Sequence, residues 1–243
     1  MTTYVTAAEA AEQLLHHLAE LAPTWGVQQA DLKHKLTGAL ADEPNQLLTT
    51  MSYAEFLDWA DAGVFAEWEN GKVILMSPTS LQHARLFRFL FRVLDEFVER
   101  TGAGELLAAP FQMHLPTLRR GREPDIFFVA KHHRRRLKAT YLDGPADLAI
   151  EIVSPESEER DRVVKFAEYA QAGVGEYWLV DPLMQTLKFF HLTATHTYTT
   201  IAPDAAGRLH SAVLPDLWLR PDWLWQEPLP LVTTILQEIL PAH

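Results

Sequence analysis

The 243-residue chain is 48% hydrophobic, enough to bury a sizeable core, and its net charge of −11 counts against indiscriminate nucleic-acid binding. It contains no cysteine, which excludes disulfides, zinc–thiolate sites and thiol nucleophiles and fits a reducing cytoplasm, where we expect the protein to act. The first residues lack a signal-peptide pattern, and no run of about 18 apolar residues predicts a membrane span.

The N-terminal part predicts an extension outside the main domain. Apolar residues recur at helical spacing from Ala7 to Leu21, a weaker helical segment covers Gln29 to Leu40, and a linker follows. We therefore divide the chain into an N-terminal helical extension, residues 1–47, and a main domain, residues 48–243, which ends in a proline-rich tail and a last helix.

Three local signals come next along the chain. Ser52 and Glu55 form a capping-box pattern for a short helix, and Asn70-Gly71 predicts a type I′ hairpin between strands over 63–69 and 72–76. Apolar spacing then predicts a long helix from Leu81 to Arg100. His83 lies in its first turn, where free N–H groups attract anions, so it could orient a phosphate or a water or simply be a satisfied helix residue.

The remainder alternates strands with one helix and then ends in the tail. A helix is predicted from Glu156 to Ala172, with Gly173 as its stop. The predicted strands cover residues 105–115, 125–130, 146–153, 175–180 and 186–192, with weaker ones at 196–201 and 208–212.

Two of these apolar strands carry one carboxylate each, Asp125 after Pro124 and Glu151 among aliphatic residues. A carboxylate in a buried strand costs several kcal/mol unless its charge is compensated. Two of them on neighbouring strands predict a bound divalent cation, Mg²⁺, for which Mn²⁺ would substitute. Pairing of Glu151 with an arginine and a turn role for Asp125 remain alternatives.

The helix after the second strand presents Asp161, Lys165 and Tyr169 at i, i+4 and i+8, so the three share one face. That face could overlook the carboxylate end of the strand. A cation held by two carboxylates with a lysine nearby suits phosphodiester hydrolysis. An ordinary surface ion pair between Asp161 and Lys165 is the alternative. In the catalytic interpretation, Asp161 and Tyr169 support Lys165 and do not act directly.

A basic stretch brackets the first carboxylate and predicts contact with a nucleic-acid backbone, or else a solvated loop. Eight of the 21 basic residues fall in it: Arg119, Arg120, Arg122, Lys131, Arg134, Arg135, Arg136 and Lys138. The adjacent His132 and His133 should point apart, so we do not expect them to chelate a metal.

These motifs resemble the Uma-two (Uma2) family of restriction endonucleases within the PD-(D/E)XK nuclease superfamily. The resemblance covers about residues 52–217. It rests on the stretches Ser52–Leu57, Asn70-Gly71, Met76-Ser77-Pro78 with His83, Glu123–Ile126, Ile150–Pro155, Asp161–Tyr169 and Gly173–Pro182.

The resemblance implies an α/β fold with a restriction-endonuclease-like core, a mixed central β-sheet flanked by helices. It implies Mg²⁺ held by Asp125 and Glu151, with Glu67 as a further acidic member. The superfamily pattern has a lysine two residues after the second acid. That position is Val153 here, and Lys165 from the following helix is the expected replacement.

The implied activity is Mg²⁺-dependent endonucleolytic hydrolysis of DNA. Cutting two strands suits two-fold symmetry, so a homodimer is expected. A catalytically silent binding or assembly module of the same fold is the alternative, favoured by the acidic net charge and by Val153. A phosphodiesterase acting on small molecules is a third reading.

Overall fold

The computed structural model of the protein describes residues 46–47, 51–60, 65–76 and 79–240. The chain divides into two compact units, Met1–Met76 and Ser77–His243. The helices predicted within residues 1–45 lie outside the described residues, so the boundary at residue 47 stays a prediction. In the described part of the chain, no helix has the length and apolar character needed to cross a bilayer.

The first unit contains a capped helix and a small antiparallel sheet of strand order β1-β3-β2. Its elements are β1 (Gln46–Leu47), α1 (Tyr53–Ala60), β2 (Ala66–Glu69) and β3 (Lys72–Leu75). Asn70 and Gly71 have φ values of 50° and 94°, which confirms the type I′ turn. Ser52 and Glu55 bond each other reciprocally, which confirms the capping box. Glu67 lies on β2 and is buried.

The second unit is built on a six-stranded mixed sheet. From edge to edge its strands are β12 (Tyr198–Thr200), β11 (Thr186–Leu192), β10 (Glu176–Asp181), β9 (Leu148–Ile152), β7 (Ile126–Ala130) and β4 (Gly104–Ala108). Strands β9 and β10 are parallel, and every other neighbouring pair is antiparallel. This sheet, with helices packed against it, confirms the predicted fold class.

Helices cover the sheet because its central strands, β7, β9 and β10, are buried on both faces. α2 (Leu81–Thr101) is capped by Ser80 and ends at left-handed Gly102, and α4 (Val232–Ile239) is the last helix among the described residues. These two pack against Ile126, Phe128, Leu148, Ile150, Ile152, Trp178 and Val180. α3 (Phe166–Ala172), capped by Gly173, follows one π-helical turn, Arg160–Lys165, and contributes Tyr169 to the other face.

The second face carries Phe127, Val129, Ala149, Val153, Tyr177 and Leu179. A three-stranded group of order β6-β5-β8 also packs there through Met113, Leu115 and Leu142. Its strands are β5 (Gln112–Leu115), β6 (Arg120–Arg122) and β8 (Tyr141–Asp143).

Two expectations about elements were wrong. The single strand predicted over 105–115 is two strands, β4 and β5, because Pro110 cannot donate a ladder hydrogen bond and the chain turns there. The proline-rich tail, residues 215–230, also differs from the surface wrap that its composition predicts, because Leu217, Leu219 and Trp223 enter the core. It forms β14 (Trp218–Leu219), which pairs with β13 (Leu209–His210), and a 3₁₀ turn, Pro221–Trp225.

Glu176, at the start of β10, anchors this tail. Its Oε2 accepts hydrogen bonds from Ser211 Oγ and from the backbone N–H groups of Ala212 and Val213, and its Oε1 accepts one from Trp178. Burial raises the pKa of Glu176 above its ordinary value, although these donors lower it in part. The fold therefore resists ionisation of this carboxyl.

The pH dependence of stability should show this effect. A carboxyl whose folded pKa is raised contributes most below its unfolded pKa, near 4.5, and the contribution falls as pH rises through the folded pKa. We expect the free energy of unfolding of the wild type, minus that of Glu176→Gln, to decrease with pH over this window. Urea unfolding at a series of pH values measures it, and a difference that grows with pH would contradict the prediction.

Candidate active site

Asp125 and Glu151 lie directly opposite each other on one face of the main sheet. The antiparallel register pairs Ile126 with Ile150, and one further step pairs Asp125 with Glu151. Side chains two apart share a face, so Asp125 points with Phe127, and Glu151 points with Ala149. Directly opposed Cβ atoms lie about 4.5–5.5 Å apart, and like charges at that separation repel. A partly buried carboxylate, Asp125, and a buried one, Glu151, are therefore paired where the sheet ends.

Asp125 is held in place through one of its own carboxylate oxygens. Its Oδ2 accepts a hydrogen bond from the backbone N–H of Ile152 at 2.7 Å and lies 3.2 Å from Nε2 of His83. Among the described residues, none donates a hydrogen bond to its Oδ1. The His83 ring is buried, which alone would lower its pKa, but the hydrogen bond and charge of Asp125 raise the pKa overall.

Glu151 is held by the helix that follows its strand. Its Oε1 lies 3.0 Å from Nζ of Lys165 and accepts a hydrogen bond from the Tyr169 hydroxyl at 2.7 Å. The side chains of Lys165 and Glu151 are 1% and 3% exposed, so this is a buried ion pair and not a solvated one. The structure thus brings together the second acid, the lysine and the tyrosine.

Asp161 joins the same cluster from the π-helical turn. Its Oδ1 lies 3.5 Å from Lys165 Nζ, and the residue is 2% exposed. Burial raises the pKa of Asp161, and the charge of Lys165, a side-chain hydrogen bond with Ser157 and the charge of Arg160 lower it only in part. π-helical turns are rare and occur often at functional sites.

The basic stretch separates into a buried part and an exposed part. Arg122 is fully buried, and its Nε and Nη2 each donate a hydrogen bond of 2.9 Å to Glu168 of α3. Arg120 donates to the same carboxylate at 2.7 Å. Arg122 therefore has no access to a nucleic-acid backbone, and an internal ion pair replaces the expected phosphate contact.

The other basic residues are accessible to different degrees. Arg119 follows a short 3₁₀ turn, Arg120 begins β6, and the rest belong to or follow a 3₁₀ helix, Lys131–Arg136, at the end of β7. The exposed members are Arg119, Lys131, Arg134, Arg135 and Lys138, whereas Arg120 and Arg136 are partly buried. Arg136 donates a hydrogen bond to the carbonyl of Pro145, which ties this helix to the loop before β9.

His132 and His133 do not point apart, so that expectation was wrong. Their rings lie 4.0 Å apart in the 3₁₀ helix, and ligand atoms of both come within 4.8 Å of each other and of Asp147. Asp147 already accepts hydrogen bonds from the Ala130 N–H and from His133. Nitrogen ligands beside four basic side chains do not suit Mg²⁺, so we assign this cluster a structural role.

Asp125 and Glu151 do fit a hard cation. Both offer carboxylate oxygens, they repel each other, and Mg²⁺ is commonly held by one or two carboxylates with the rest of its shell water. Within the described residues of the second unit, no histidine or further acid joins these two within 4.8 Å as a third ligand. A cation held here would therefore keep several water molecules.

Sequence reasoning missed two contributors to the site. The Ile152 N–H, which fixes Asp125, belongs to the backbone and has no residue signal. Glu168, which pairs with Arg122 three residues before Asp125, lies three residues beyond Lys165 on the same helix. The position of Glu168 next to Tyr169 in the sequence could have indicated that the helix presents a further charge to the sheet.

Comparison with known proteins identifies the family of the chain and supports its fold. Residues 53–222 match the model of the Uma2 family, described as "Putative restriction endonuclease". A crystal structure from Anabaena variabilis ATCC 29413, described as "a putative nuclease belonging to DUF820", aligns with a TM-score of 0.60 at 19% identity, covering 72% of this chain and 97% of that chain. At that identity the similarity establishes the fold alone. No curated protein shows significant sequence similarity to the chain.

Proposed function

The chain belongs to the Uma2 family of restriction-endonuclease-like proteins, and from that premise we propose that it is a Mg²⁺-dependent endonuclease that hydrolyses the phosphodiester bonds of DNA. One observation carries the proposal. Two opposed carboxylates, Asp125 and Glu151, lie at one end of the main sheet, and the buried ammonium of Lys165 lies 3.0 Å from Glu151. This is the group of charges that metal-assisted phosphodiester hydrolysis uses.

Asp125 and Glu151 would hold the cation, which supplies a more acidic water and offsets charge on the phosphate. The backbone N–H of Ile152 and His83 orient Asp125 through Oδ2, so Oδ1 would be available to hold the cation. Tyr169 and Lys165 fix Oε1 of Glu151 in the same way. Because these contacts are preformed, little reorganisation is needed during the reaction.

Lys165 acts as a fixed positive charge in this scheme. Its ammonium lies between the carboxylates of Glu151 and Asp161 and out of solvent. A donor in that position orients a water or a phosphate oxygen by hydrogen bonding and stabilises negative charge as it develops. Val153, at the position where the superfamily pattern has its lysine, is buried in the core and contributes no charge.

Three further parts of the proposal come from the family resemblance and from surface charge. Glu67 is a further acidic member, and the exposed Arg119, Lys131, Arg134, Arg135 and Lys138 contact the DNA backbone. The protein acts in the cytoplasm as a homodimer, since two copies suit two antiparallel strands. Residues 1–47 form a separate extension from the nuclease domain, residues 48–243.

Plasmid nicking tests the proposal. With Mg²⁺ or Mn²⁺ the full chain converts supercoiled plasmid to nicked or linear forms, and chelation of the cation stops the reaction. Asp125→Ala lowers the cleavage rate by at least about 100-fold because a ligand and a fixed charge are lost together. Asp95→Ala, on an exposed turn of α2, is the matched control and leaves the rate unchanged.

A catalytically silent binding module is the second candidate, and the apolar Val153 favours it. It predicts DNA binding in a gel-shift assay with no cut product under any cation. Wild-type protein that cuts no form of DNA or RNA would exclude the enzyme. Turnover of a small chromogenic diester without affinity for DNA would instead indicate a small-molecule phosphodiesterase.

A further inference from the structure

Asp161 has an unusual buried oxygen. Its Oδ1 has almost no exposed surface and accepts no hydrogen bond from any residue that the structure describes. The nearest cation, Lys165 Nζ, lies 3.5 Å from it but 3.0 Å from Glu151 Oε1, so the ammonium is oriented mainly to Glu151. A buried anionic oxygen without a donor is costly, and such groups in native structures call for a missing water or ion.

The surroundings of this oxygen indicate what the missing donor is. The carboxylates of Glu151 and Asp161 flank one buried ammonium, and Asp125 lies opposite Glu151 in the sheet. The charges of Asp161 and Asp125 interact, and the charge of Asp161 also reaches His83, so Asp161 belongs to the same cluster. Asp161 is nevertheless too far from Asp125 and Glu151 to complete a three-ligand cluster with them.

We propose that Asp161 Oδ1 accepts a hydrogen bond from a water molecule bound to the cation that Asp125 and Glu151 hold. The inference rests on the proposed function, because it requires that cation. Mg²⁺ keeps most of its water ligands, and each bound water is a strong donor that needs an acceptor. Asp161 is then a positioning residue for that water and not only the ion-pair partner of Lys165.

The alternative is that Asp161 serves only Lys165, and a double-mutant cycle separates the two roles. Loss of a residue that contacts the shell around a metal typically weakens binding about 10–100-fold. We expect Asp161→Asn to weaken Mn²⁺ binding by the full chain at least about tenfold in calorimetry. The loss should persist in the Lys165→Met background, where an effect exerted only through Lys165 would vanish.

Asp181→Asn is the matched control. Asp181 is also buried and is ion-paired with Arg162 of the same π-helical turn, but it has no part in the site. We expect its Mn²⁺ affinity to stay within about twofold of wild type, and circular dichroism verifies that each variant is folded. Wild-type-like Mn²⁺ affinity in Asp161→Asn would overturn the inference.

Wild-type crystals soaked in Mn²⁺ test the geometry without any mutation. The anomalous signal should place the ion at Asp125 and Glu151, with one of its waters within about 3.2 Å of Asp161 Oδ1. An ion at the two acids with no water near Asp161 overturns this inference and leaves the nuclease proposal intact. Absence of Mn²⁺ from both crystals and calorimetry overturns both.

Discussion

Replacing Arg122 with methionine should lower the free energy of unfolding by about 3 kcal/mol or more. Arg122 is fully buried, and its guanidinium donates two hydrogen bonds to the carboxylate of Glu168. Methionine fills much of the same volume without a charge. Glu168 then keeps its ion pair with Arg120 but loses the partner that is shielded from water, and breaking one side of a buried pair costs far more than breaking a surface pair.

Thermal unfolding measures this loss, which corresponds to a melting temperature lower by about 6–12 °C. Arg135→Met is the control, since Arg135 is an exposed residue of the same basic stretch and should change stability by less than about 0.5 kcal/mol. DNA affinity should respond in the opposite order, and it should fall more for Arg135→Met than for Arg122→Met. Equal stability of the two variants would show that the Arg122–Glu168 pair contributes little.

The position of this pair gives it a second consequence. Arg122 precedes Asp125 by three residues, and Glu168 follows Lys165 by three residues on the adjoining helix. The ion pair therefore connects the segment that carries the first acid to the helix that carries the lysine. Hydrogen bonds between charged groups are directional, so this pair fixes the two segments relative to each other more strictly than a purely apolar contact would.

Much of the sheet and of the site could be predicted because strand periodicity is strict. With side chains alternating every residue, Asp125 had to share a face with Phe127, and Glu151 had to share one with Val153. The apolar runs on both faces predicted central strands, and β7 and β9 are neighbours inside the sheet. The order of the strands in the sheet could not be predicted, because no local sequence pattern states which strands hydrogen-bond to each other.

The burial of Arg122 could not be predicted from the sequence in the same way. A run of arginines normally marks a solvated surface, and here β6 carries Arg122 inward, whereas Arg119 lies in the left-handed turn before the strand and stays exposed. The decisive partner, Glu168, lies 46 residues later in the sequence. Burial of a charge depends on such a distant partner, so composition alone assigns it to the wrong environment.

The helix beside the site was predicted in place but not in geometry. Spacing at i, i+4 and i+8 assumed a regular α-helix, whereas Asp161 and Lys165 belong to a π-helical turn that continues as α3. No residue pattern in this segment signals a π turn. The three side chains still converge, since Lys165 and Tyr169 both reach Glu151 and Asp161 reaches Lys165.

Replacing Lys165 with methionine should lower the rate of DNA cleavage by at least about 100-fold. The ammonium is the positive charge that the structure places against Glu151 at 3.0 Å, and methionine keeps the length of the side chain without the charge. The effect should fall mainly on kcat, because Lys165 is buried behind the acids and contributes little to holding the DNA backbone. Single-turnover cleavage of a labelled duplex measures it.

Stability gives a second readout for the same variant. Without Lys165, the buried carboxylates of Glu151 and Asp161 lose their shared cation, which should cost about 3–5 kcal/mol in metal-free buffer. A divalent cation at the site replaces part of that compensation, so Mn²⁺ should raise the melting temperature of Lys165→Met more than that of the wild type. Lys188→Met, on the exposed side of β11, is the control for both readouts. A Lys165→Met protein that cleaves DNA at the wild-type rate would remove the lysine from the chemistry, even if its stability falls as expected.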